Sequence, residues 1–208
     1  MKKFELTAEF VTNVFGTKLF RIKALVAFGN VEKGELGGFI EKEDNLSHDG
    51  EAWVYGNAWV SGNAQVYGDA LVYGNAWVSG NAQVSGNAWV SGNAQVYGNA
   101  LVSGDARVYG DARVSDNALV YGNAWVSGNA DYAVVTGFGR YFRTTTFFRC
   151  KDKILRVQCG CFYGDLAQFR EIVKKTHGDS KYAKEYLAIA DLMELHFSDE
   201  EEKQEADE

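Results

Sequence analysis

The sequence predicts an all-β solenoid of stacked hexapeptide repeats, a parallel β-helix, followed by a small α+β domain. Thirteen consecutive six-residue units fill residues 52–129, every unit has Ala first and Val third, and Gly stands fifth in twelve of them. Repeats of this length indicate a solenoid, because one unit can bury its apolar face only by stacking on its neighbours. The 208 residues contain no proline, which fits a ladder in which every backbone N–H donates.

Each unit predicts a four-residue strand followed by a two-residue corner. Residues two apart on a strand point to the same side, so Ala and Val are expected inward and the second and fourth residues outward. Three units should close a triangular coil of eighteen residues, which gives a little over four coils. The corners carry Gly and then Asn or Asp, and Asp116 is expected to be tolerated at the one corner without Gly.

The repeats divide the chain into four parts. Because the terminal repeats of a solenoid must close an open edge, the flanking segments are expected to differ from the repeats. The predicted parts are an N-terminal β cap over residues 1–51, the repeats over 52–129 (the prism), a C-terminal α+β domain over 130–197, and an acidic disordered tail over 198–208.

The segment before the prism has the features of a cap. Strands are expected from Phe4 to Phe10 and from Lys18 to Phe28. A degenerate unit from Leu46 to Glu51 keeps Gly at its corner and places His48 where Val should be. A broken inward position is typical of a capping coil, so His48 is interpreted as a hydrogen-bonded cap residue.

The segment after the prism predicts a hairpin and two helices. Alternating stretches from Phe142 to Cys150 and from Ile154 to Phe162 indicate the hairpin. Asp165 begins a first helix that Gly178 ends, and a second helix is expected from about Ser180 to Phe197. The predicted buried stripe of the second helix is Tyr182, Tyr186, Ile189, Met193 and Phe197.

Charge and composition restrict the function. The formal net charge is −7, but the acidic tail supplies most of it, and the prism carries only Arg107 and Arg113 as bases. The prism is therefore not expected to bind nucleic acid. The three cysteines do not make a disulfide framework, and no signal peptide or long apolar run is visible, so a reducing cytoplasm and no membrane contact are expected. No cofactor is expected.

One outer side of the prism should be rich in aromatic residues. If these stacked aromatic side chains were exposed to water, they would form a larger apolar patch than a soluble monomer usually shows. We therefore expect a second subunit to cover them in a homo-oligomer, with a trimer favoured, or the flanking segments to cover them. The alternative is that Trp and Tyr simply suit strand surfaces. The residues expected at the interface are Trp53, Tyr55, Leu71, Tyr73, Trp89, Arg107, Tyr109 and Trp125.

The C-terminal domain holds the densest basic cluster. Arginine forks and hydroxyls next to a glycine-rich bend suit a phosphate or a nucleotide-like anion. An ordinary solvated strand face is an equal alternative. The candidate ligand-binding residues are Arg140, Arg143, Thr144, Thr145, Thr146, Arg149 and Arg156.

A zinc site is a weaker alternative in the same domain. Three cysteines and one histidine make a nominal ligand set, although their spacing is not that of a known zinc motif. Buried, inert thiols are the favoured interpretation, and no metal is expected. The residues of the alternative are Cys150, Cys159, Cys161 and His177.

Two stretches carry a family resemblance. The run GELGGFIEKEDNLSHDGEAWVYGNAWVSG and the later CGCFYGDLAQFREIVKKTHG look like hexapeptide-repeat proteins common in phages and prophages of Gram-positive bacteria. The resemblance spans nearly the whole chain and implies a left-handed helix. It implies little about activity, since such proteins are generally described only as hexapeptide-repeat, polymer-forming or acyltransferase-like.

These observations predict a non-catalytic, self-associating binding protein of phage type. A counter-defence or accessory role, with capture of a host protein or a nucleotide-like ligand, is the leading expectation. A hexapeptide acyltransferase is the enzymatic alternative, but none of the three histidines is expected on the outer face of a coil. A purely structural scaffold is the third.

Overall fold

In the computed structural model, which describes residues 1–198, a parallel β-solenoid is closed at both ends by antiparallel strands. All of the predicted acidic tail except Ser198 lies outside the described residues. The N-terminal strands are β1 (Phe4–Thr12), β2 (Lys18–Ala24) and β3 (Leu36–Ile40). The prism strands are β4 (Trp53–Val54), β5 (Trp59–Val60), β6 (Gln65–Val66), β7 (Leu71–Val72), β8 (Trp77–Val78), β9 (Gln83–Val84), β10 (Trp89–Val90), β11 (Gln95–Val96), β12 (Leu101–Val102), β13 (Arg107–Val108), β14 (Arg113–Val114), β15 (Leu119–Val120) and β16 (Trp125–Val126). The C-terminal elements are β17 (Tyr132–Val135), β18 (Thr145–Arg149), β19 (Leu155–Cys159), β20 (Phe162–Asp165), α1 (Leu166–His177) and α2 (Lys181–His196).

The prism has three parallel sheets, as the eighteen-residue spacing predicts. Their strand orders are β3-β5-β8-β11-β14, extended outward by β2 and β1, then β4-β7-β10-β13-β16, and β6-β9-β12-β15. The segment before the repeats contributes to a first coil, because β3 pairs with β5 and Leu46 bridges to Val66. The solenoid therefore has about five coils. That the solenoid is left-handed remains a prediction from the family resemblance.

The predicted inward positions are confirmed. Every Ala and Val of the thirteen units is fully buried. The paired strands are only two residues long instead of four, because the residues on either side already turn toward the corners. These flanking residues still take part in the ladder. The carbonyl of Ala106, just before β13, accepts from Trp89 N at 2.8 Å, and the N–H of Ser91, just after β10, donates to Val108 O at 2.9 Å.

The corners use left-handed backbone, and each corner stacks tightly on the next. A Cβ at Gly104, whose φ is +73°, would lie 2.9 Å from the backbone nitrogen of Gly122. Asp116 adopts φ 59°, as expected for a tolerated substitute. The asparagines after these corners form a ladder that the repeat alone did not indicate. In one column Asn63, Asn81, Asn99 and Asn117 are joined by amide hydrogen bonds of 3.2, 3.0 and 3.1 Å.

The N-terminal end of the prism is an edge of carbonyl groups. Each coil donates its N–H groups to the following coil, so the carbonyls of the first coil have no earlier coil to pair with. Two buried side chains from the cap supply donors. The Asn45 amide donates to Gly62 O at 3.1 Å and Ala64 O at 2.8 Å. Lys3 Nζ donates to two further carbonyls, Gly50 O at 3.2 Å and Ala52 O at 2.9 Å.

The structure confirms the expected role of His48 in the cap but corrects its expected inward position. Leu46, not His48, fills the inward position opposite Val66 and is buried. His48 lies outside the coil, stacked on Phe4 with ring centroids 4.4 Å apart, and its Nδ1 accepts a hydrogen bond from Lys3 N at 3.2 Å. His48 is thus a hydrogen-bonded cap residue, but the register of the degenerate unit was wrong by two residues.

Lys3 gives the stability a predicted dependence on alkaline pH. Burial lowers the pKa of its ammonium group from 10.5 to about 8, and Asp49, Asp69 and Glu51 offset part of that effect. Between these two values the unfolded chain binds a proton that the folded protein releases, so stability should rise with pH across that window. We expect the free energy of unfolding of the parent to increase relative to Lys3→Met from pH 8 to 10.5, by at most roughly 3 kcal/mol. Urea unfolding at several pH values gives the free energy of unfolding of each protein. If the two free energies change with pH by the same amount across this range, the prediction is wrong.

The C-terminal end of the prism is the opposite edge, with free N–H groups. Side-chain oxygens accept from it: Thr146 Oγ1 from Leu119 N at 3.0 Å, and Asn129 Oδ1 from Arg113 N at 3.0 Å. Strand β18 lies across this end. Phe148 of β18 and Cys150, which directly follows the strand, join the prism core.

The other face of the C-terminal sheet carries the helices. The order β17-β18-β19-β20 is antiparallel throughout, so the predicted hairpin is confirmed and gains one strand on each side. Asp165 caps α1 in a capping box with Gln168, and Gly178 follows its last residue, as predicted. The predicted stripe of α2 needs one correction: Tyr182 is exposed, and Ala183 takes the buried position.

Candidate functional site

A cavity of about 430 Å³ opens in the C-terminal domain, and we call it the C-terminal cavity. It lies between the loop before β18, the turn that joins β19 to β20, and the two helices. Its lining residues are Arg140, Tyr141, Arg143, Cys159, Cys161, Phe162, Phe169, Ile172, Val173, Thr176, His177 and Tyr186.

The C-terminal cavity has an apolar floor and a basic rim. Phe169, Val173 and Tyr186 are buried members of the core that joins the sheet to the helices. The exposed side chains of Arg140 and Arg143 stand at the rim. The arrangement suits a small molecule with an apolar body and a negatively charged end, because the two parts meet different surfaces.

Close packing against two glycines fixes the rim. Gly139 has φ +73°, and a Cβ there would lie 2.2 Å from the Tyr186 hydroxyl oxygen, so only glycine lets the loop approach. Gly139 N also donates to Glu185 Oε2 at 3.0 Å. A Cβ at Gly160 would lie 2.4 Å from Nη1 of Arg143, which places that guanidinium against the β19–β20 turn.

Aromatic rings orient the charged groups of the rim. The guanidinium carbons of Arg143 and Arg140 lie 5.1 and 5.5 Å from the ring centre of Tyr141. His177 stacks on Tyr186 with ring centres 5.8 Å apart. Burial, followed by the proximity of Cys159, raises the pKa of Tyr186 to about 12, so its hydroxyl keeps its proton at neutral pH and can donate.

The seven predicted ligand-binding residues are not brought together. Arg140 and Arg143 line the C-terminal cavity, and Thr144 is half-buried just before β18. Arg149 and Arg156 stand near the other end of the hairpin, up to roughly 20 Å away along an extended strand. Both arginines contact other groups of the protein: Arg149 Nη2 donates to Phe197 O at 3.0 Å, Arg149 Nε lies 3.7 Å from Asp131 Oδ1, and Arg156 Nη2 donates to Asp152 Oδ2 at 2.8 Å.

The two threonines of β18 are a correction to the predicted site. Thr145 and Thr146 are buried and already hydrogen-bonded within the protein, Thr145 Oγ1 to Cys159 Sγ at 3.2 Å and Thr146 Oγ1 to Leu119 N. Their hydroxyls close the prism and support the sheet, so they do not face a ligand.

The four residues of the zinc alternative lie in two separate places. Cys159, Cys161 and His177 line the C-terminal cavity, whereas Cys150 faces the prism. Within residues 1–198 no three His, Cys, Asp or Glu side chains are grouped to hold a metal ion. The expectation of buried thiols holds for Cys150 only, because Cys159 is half-buried and Cys161 is exposed.

The aromatic side of the prism is covered in part by a flanking segment, which is one of the two kinds of cover that the sequence predicts. Trp53 is fully buried under the N-terminal cap, against Phe4 and Phe28, so it is not part of an outer interface. Tyr55 and Leu71 are half-buried and pack on the core. The remaining predicted residues, with Ser91, line a cavity of about 290 Å³ that we call the aromatic groove: Tyr73, Trp89, Arg107, Tyr109 and Trp125.

Arginine covers part of the aromatic groove. The Arg107 guanidinium carbon lies 4.4 Å from the ring centre of Trp89 and 5.5 Å from that of Trp125. Nζ of Lys151, in the C-terminal domain, lies 5.6 Å from the ring centre of Trp125. These contacts stabilise the ladder within one chain, which lowers the need for a partner to cover it.

The three histidines lie away from the outer faces of the coils. His48 belongs to the N-terminal cap, His177 to the C-terminal cavity, and His196 ends α2 beside Phe197. A histidine base in a cleft between prisms, as the acyltransferase alternative requires, has no candidate on the repeats.

Comparison with known proteins agrees with this fold. Residues 64–80, 82–95, 94–110, 106–119 and 112–128 match the YdcK beta solenoid repeat family. These matches lie within the prism and cover less than half of the chain, so the likeness concerns the repeat. The protein is a β-solenoid repeat protein. No curated protein matches the chain.

Within residues 1–198, neither helix is both long and apolar enough to span a bilayer.

Proposed function

We propose that this protein is a non-catalytic, self-associating binding protein that holds a small organic anion in the C-terminal cavity. The observation that carries the proposal is the pairing of Arg140 and Arg143 at the rim with a buried, largely aromatic floor in one open cavity. The prism interior is filled by Ala and Val and leaves no room for a ligand.

The ligand chemistry follows from the two parts of the C-terminal cavity. Two guanidinium groups favour a carboxylate or a phosphate, which they can bind through several hydrogen bonds at once. The apolar floor favours an aromatic or aliphatic body next to that group. A nucleotide-like anion has both parts and is the class we propose.

Arg143→Ala should weaken binding of such an anion by about tenfold or more, because one charge-assisted hydrogen bond contributes about 1.5–3 kcal/mol. Isothermal calorimetry against mononucleotides, cyclic nucleotides and acyl-CoA measures the effect. Arg113→Ala is the matched control, since Arg113 is exposed on the prism away from the cavity and its loss should leave the affinity unchanged.

The same titrations separate the alternatives. Absence of binding by every ligand in the panel would contradict an anion site and favour a protein partner. Binding of acyl-CoA with turnover would favour the acyltransferase alternative.

Self-association through the aromatic groove is the second part of the proposal, with a trimer of parallel prisms as the favoured assembly. Trp89 and Trp125 remain partly exposed despite Arg107, and aromatic and arginine side chains are enriched in interface cores.

Trp89→Glu should lower the mass of the oligomer in solution, as measured by light scattering, more than Gln83→Glu on another face of the prism. A parent mass near 23 kDa, the mass of one chain, at micromolar concentration would rule out assembly.

The remaining parts of the proposal depend on the resemblance alone. A phage or prophage origin, a cytoplasmic location, a counter-defence role and a host-protein partner are predictions of this kind. A purely structural scaffold is the reading that would stand if neither ligand nor assembly were found.

A further inference from the structure

The three cysteines differ in their surroundings, and two of them share the C-terminal cavity. Cys150 is 4% exposed and packs into the prism core, where burial raises the pKa of its thiol to about 11. Cys159 is half-buried and Cys161 is exposed, and both line the cavity beside Arg143. The chain therefore combines one sequestered thiol with two accessible ones.

A tight turn holds the two accessible cysteines close together. Cys159 pairs with Phe162 across the β19–β20 hairpin, so Gly160 and Cys161 are its two central residues. Gly160 has φ +58°, which fits a turn with glycine first. Consecutive Cα atoms are about 3.8 Å apart, and where the chain turns back, the Cα atoms of residues i and i+2 are much closer than twice that distance. Cys159 and Cys161 thus fall within the roughly 4.4–6.8 Å between Cα atoms that a disulfide needs.

The surroundings of this pair are electropositive. Gly160 separates the two cysteines in the chain, and Nη1 of Arg143 packs against it. A Cβ added to Gly160 would lie 2.4 Å from that nitrogen. The Thr145 hydroxyl donates to Cys159 Sγ at 3.2 Å. Partly exposed cysteines beside a cation are the ones that react with oxidants, whereas thiols buried among apolar side chains are inert.

We propose that Cys159 and Cys161 form a reversible thiol–disulfide pair that a hydroperoxide oxidises. The sulfur of Cys161 attacks the terminal peroxide oxygen, the O–O bond breaks, and the leaving alkoxide takes up the thiol proton to become an alcohol. The sulfur of Cys159 then attacks the resulting sulfenic acid, which forms the S–S bond and releases water. The two thiols lose two electrons and two protons in all, and a dithiol reductant restores them. The pair reacts whether or not the cavity holds an anion.

Treatment of the full-length protein with one equivalent of tert-butyl hydroperoxide tests the proposal. Intact mass and peptide mapping should show the loss of two hydrogens, a Cys159–Cys161 disulfide and a free Cys150 thiol, all reversed by dithiothreitol. Three free thiols after treatment, or a bridge that includes Cys150, would overturn it.

Single variants assign the roles. Cys161→Ser should abolish the disulfide, Cys159→Ser should leave a sulfenic acid on Cys161 that a dimedone probe labels, and Cys150→Ser should react like the parent. Arg143→Ala should slow oxidation severalfold by removing the adjacent charge. If the native protein oxidises no faster than the same chain unfolded in urea, the folded site contributes nothing and the proposal fails.

Discussion

Replacing Val90 with Asp should unfold the prism or reduce its stability by several kcal/mol. Val90 is fully buried and stacked between Val72 and Val108, so a carboxylate there would be surrounded by methyl groups on every side. A buried charge without a partner or hydrogen bonds is among the most costly changes that a core can receive. Urea or thermal unfolding followed by circular dichroism measures the loss.

The matched control for this change is Gln65→Asp. Gln65 occupies an exposed outward position next to an inward Val, so the same new charge would meet water and should change the stability by about 0.5 kcal/mol or less. Val90→Ile should be largely tolerated. A Val90→Asp protein that melts within a degree or two of the parent would show that the inward assignment is wrong.

Replacing Asn45 with Ala should destabilise the N-terminal end of the prism by roughly 2–5 kcal/mol. Asn45 is fully buried, and its amide donates to the carbonyls of Gly62 and Ala64. Without it the buried carbonyl of Ala64 and the partly buried carbonyl of Gly62 would both lose their donor, and a buried unpaired group costs about 1–3 kcal/mol. Denaturant unfolding gives the change in the free energy of unfolding.

Asn75→Ala is the control for Asn45. Asn75 also donates an amide hydrogen bond, to Asn93 Oδ1 at 3.3 Å, but on the exposed ladder at the corners, where water replaces the lost bond. Its loss should cost well under 1 kcal/mol. Equal destabilisation by the two variants would contradict the assignment of Asn45 as the group that caps the carbonyl edge.

The candidate site was predictable only in part. Arg140 and Arg143 could be chosen from the sequence because basic residues stand next to Gly139 and Tyr141. Tyr186, which forms part of the floor, lies far along the chain on α2, and only its place in a helical stripe marked it as buried. Strand alternation does not show which end of the hairpin lies beside a cavity. The sequence therefore groups Arg149 and Arg156 with Arg140 and Arg143 in one basic cluster, whereas only Arg140 and Arg143 line the C-terminal cavity.

The sequence by itself determined the repeating part of this protein. Strand periodicity and the eighteen-residue stacking distance are local properties, so the burial of each Ala and Val and the positive φ at Asp116 follow from spacing alone. The tertiary structure decided how the ends are closed. No spacing encodes which distant group reaches an unpaired backbone edge, and Lys3, Asn45 and Thr146 acquire their roles only where the folded chain brings them against free carbonyls or N–H groups. The burial of Trp53 has the same cause, because the cap that covers it is formed by residues far from it in the chain.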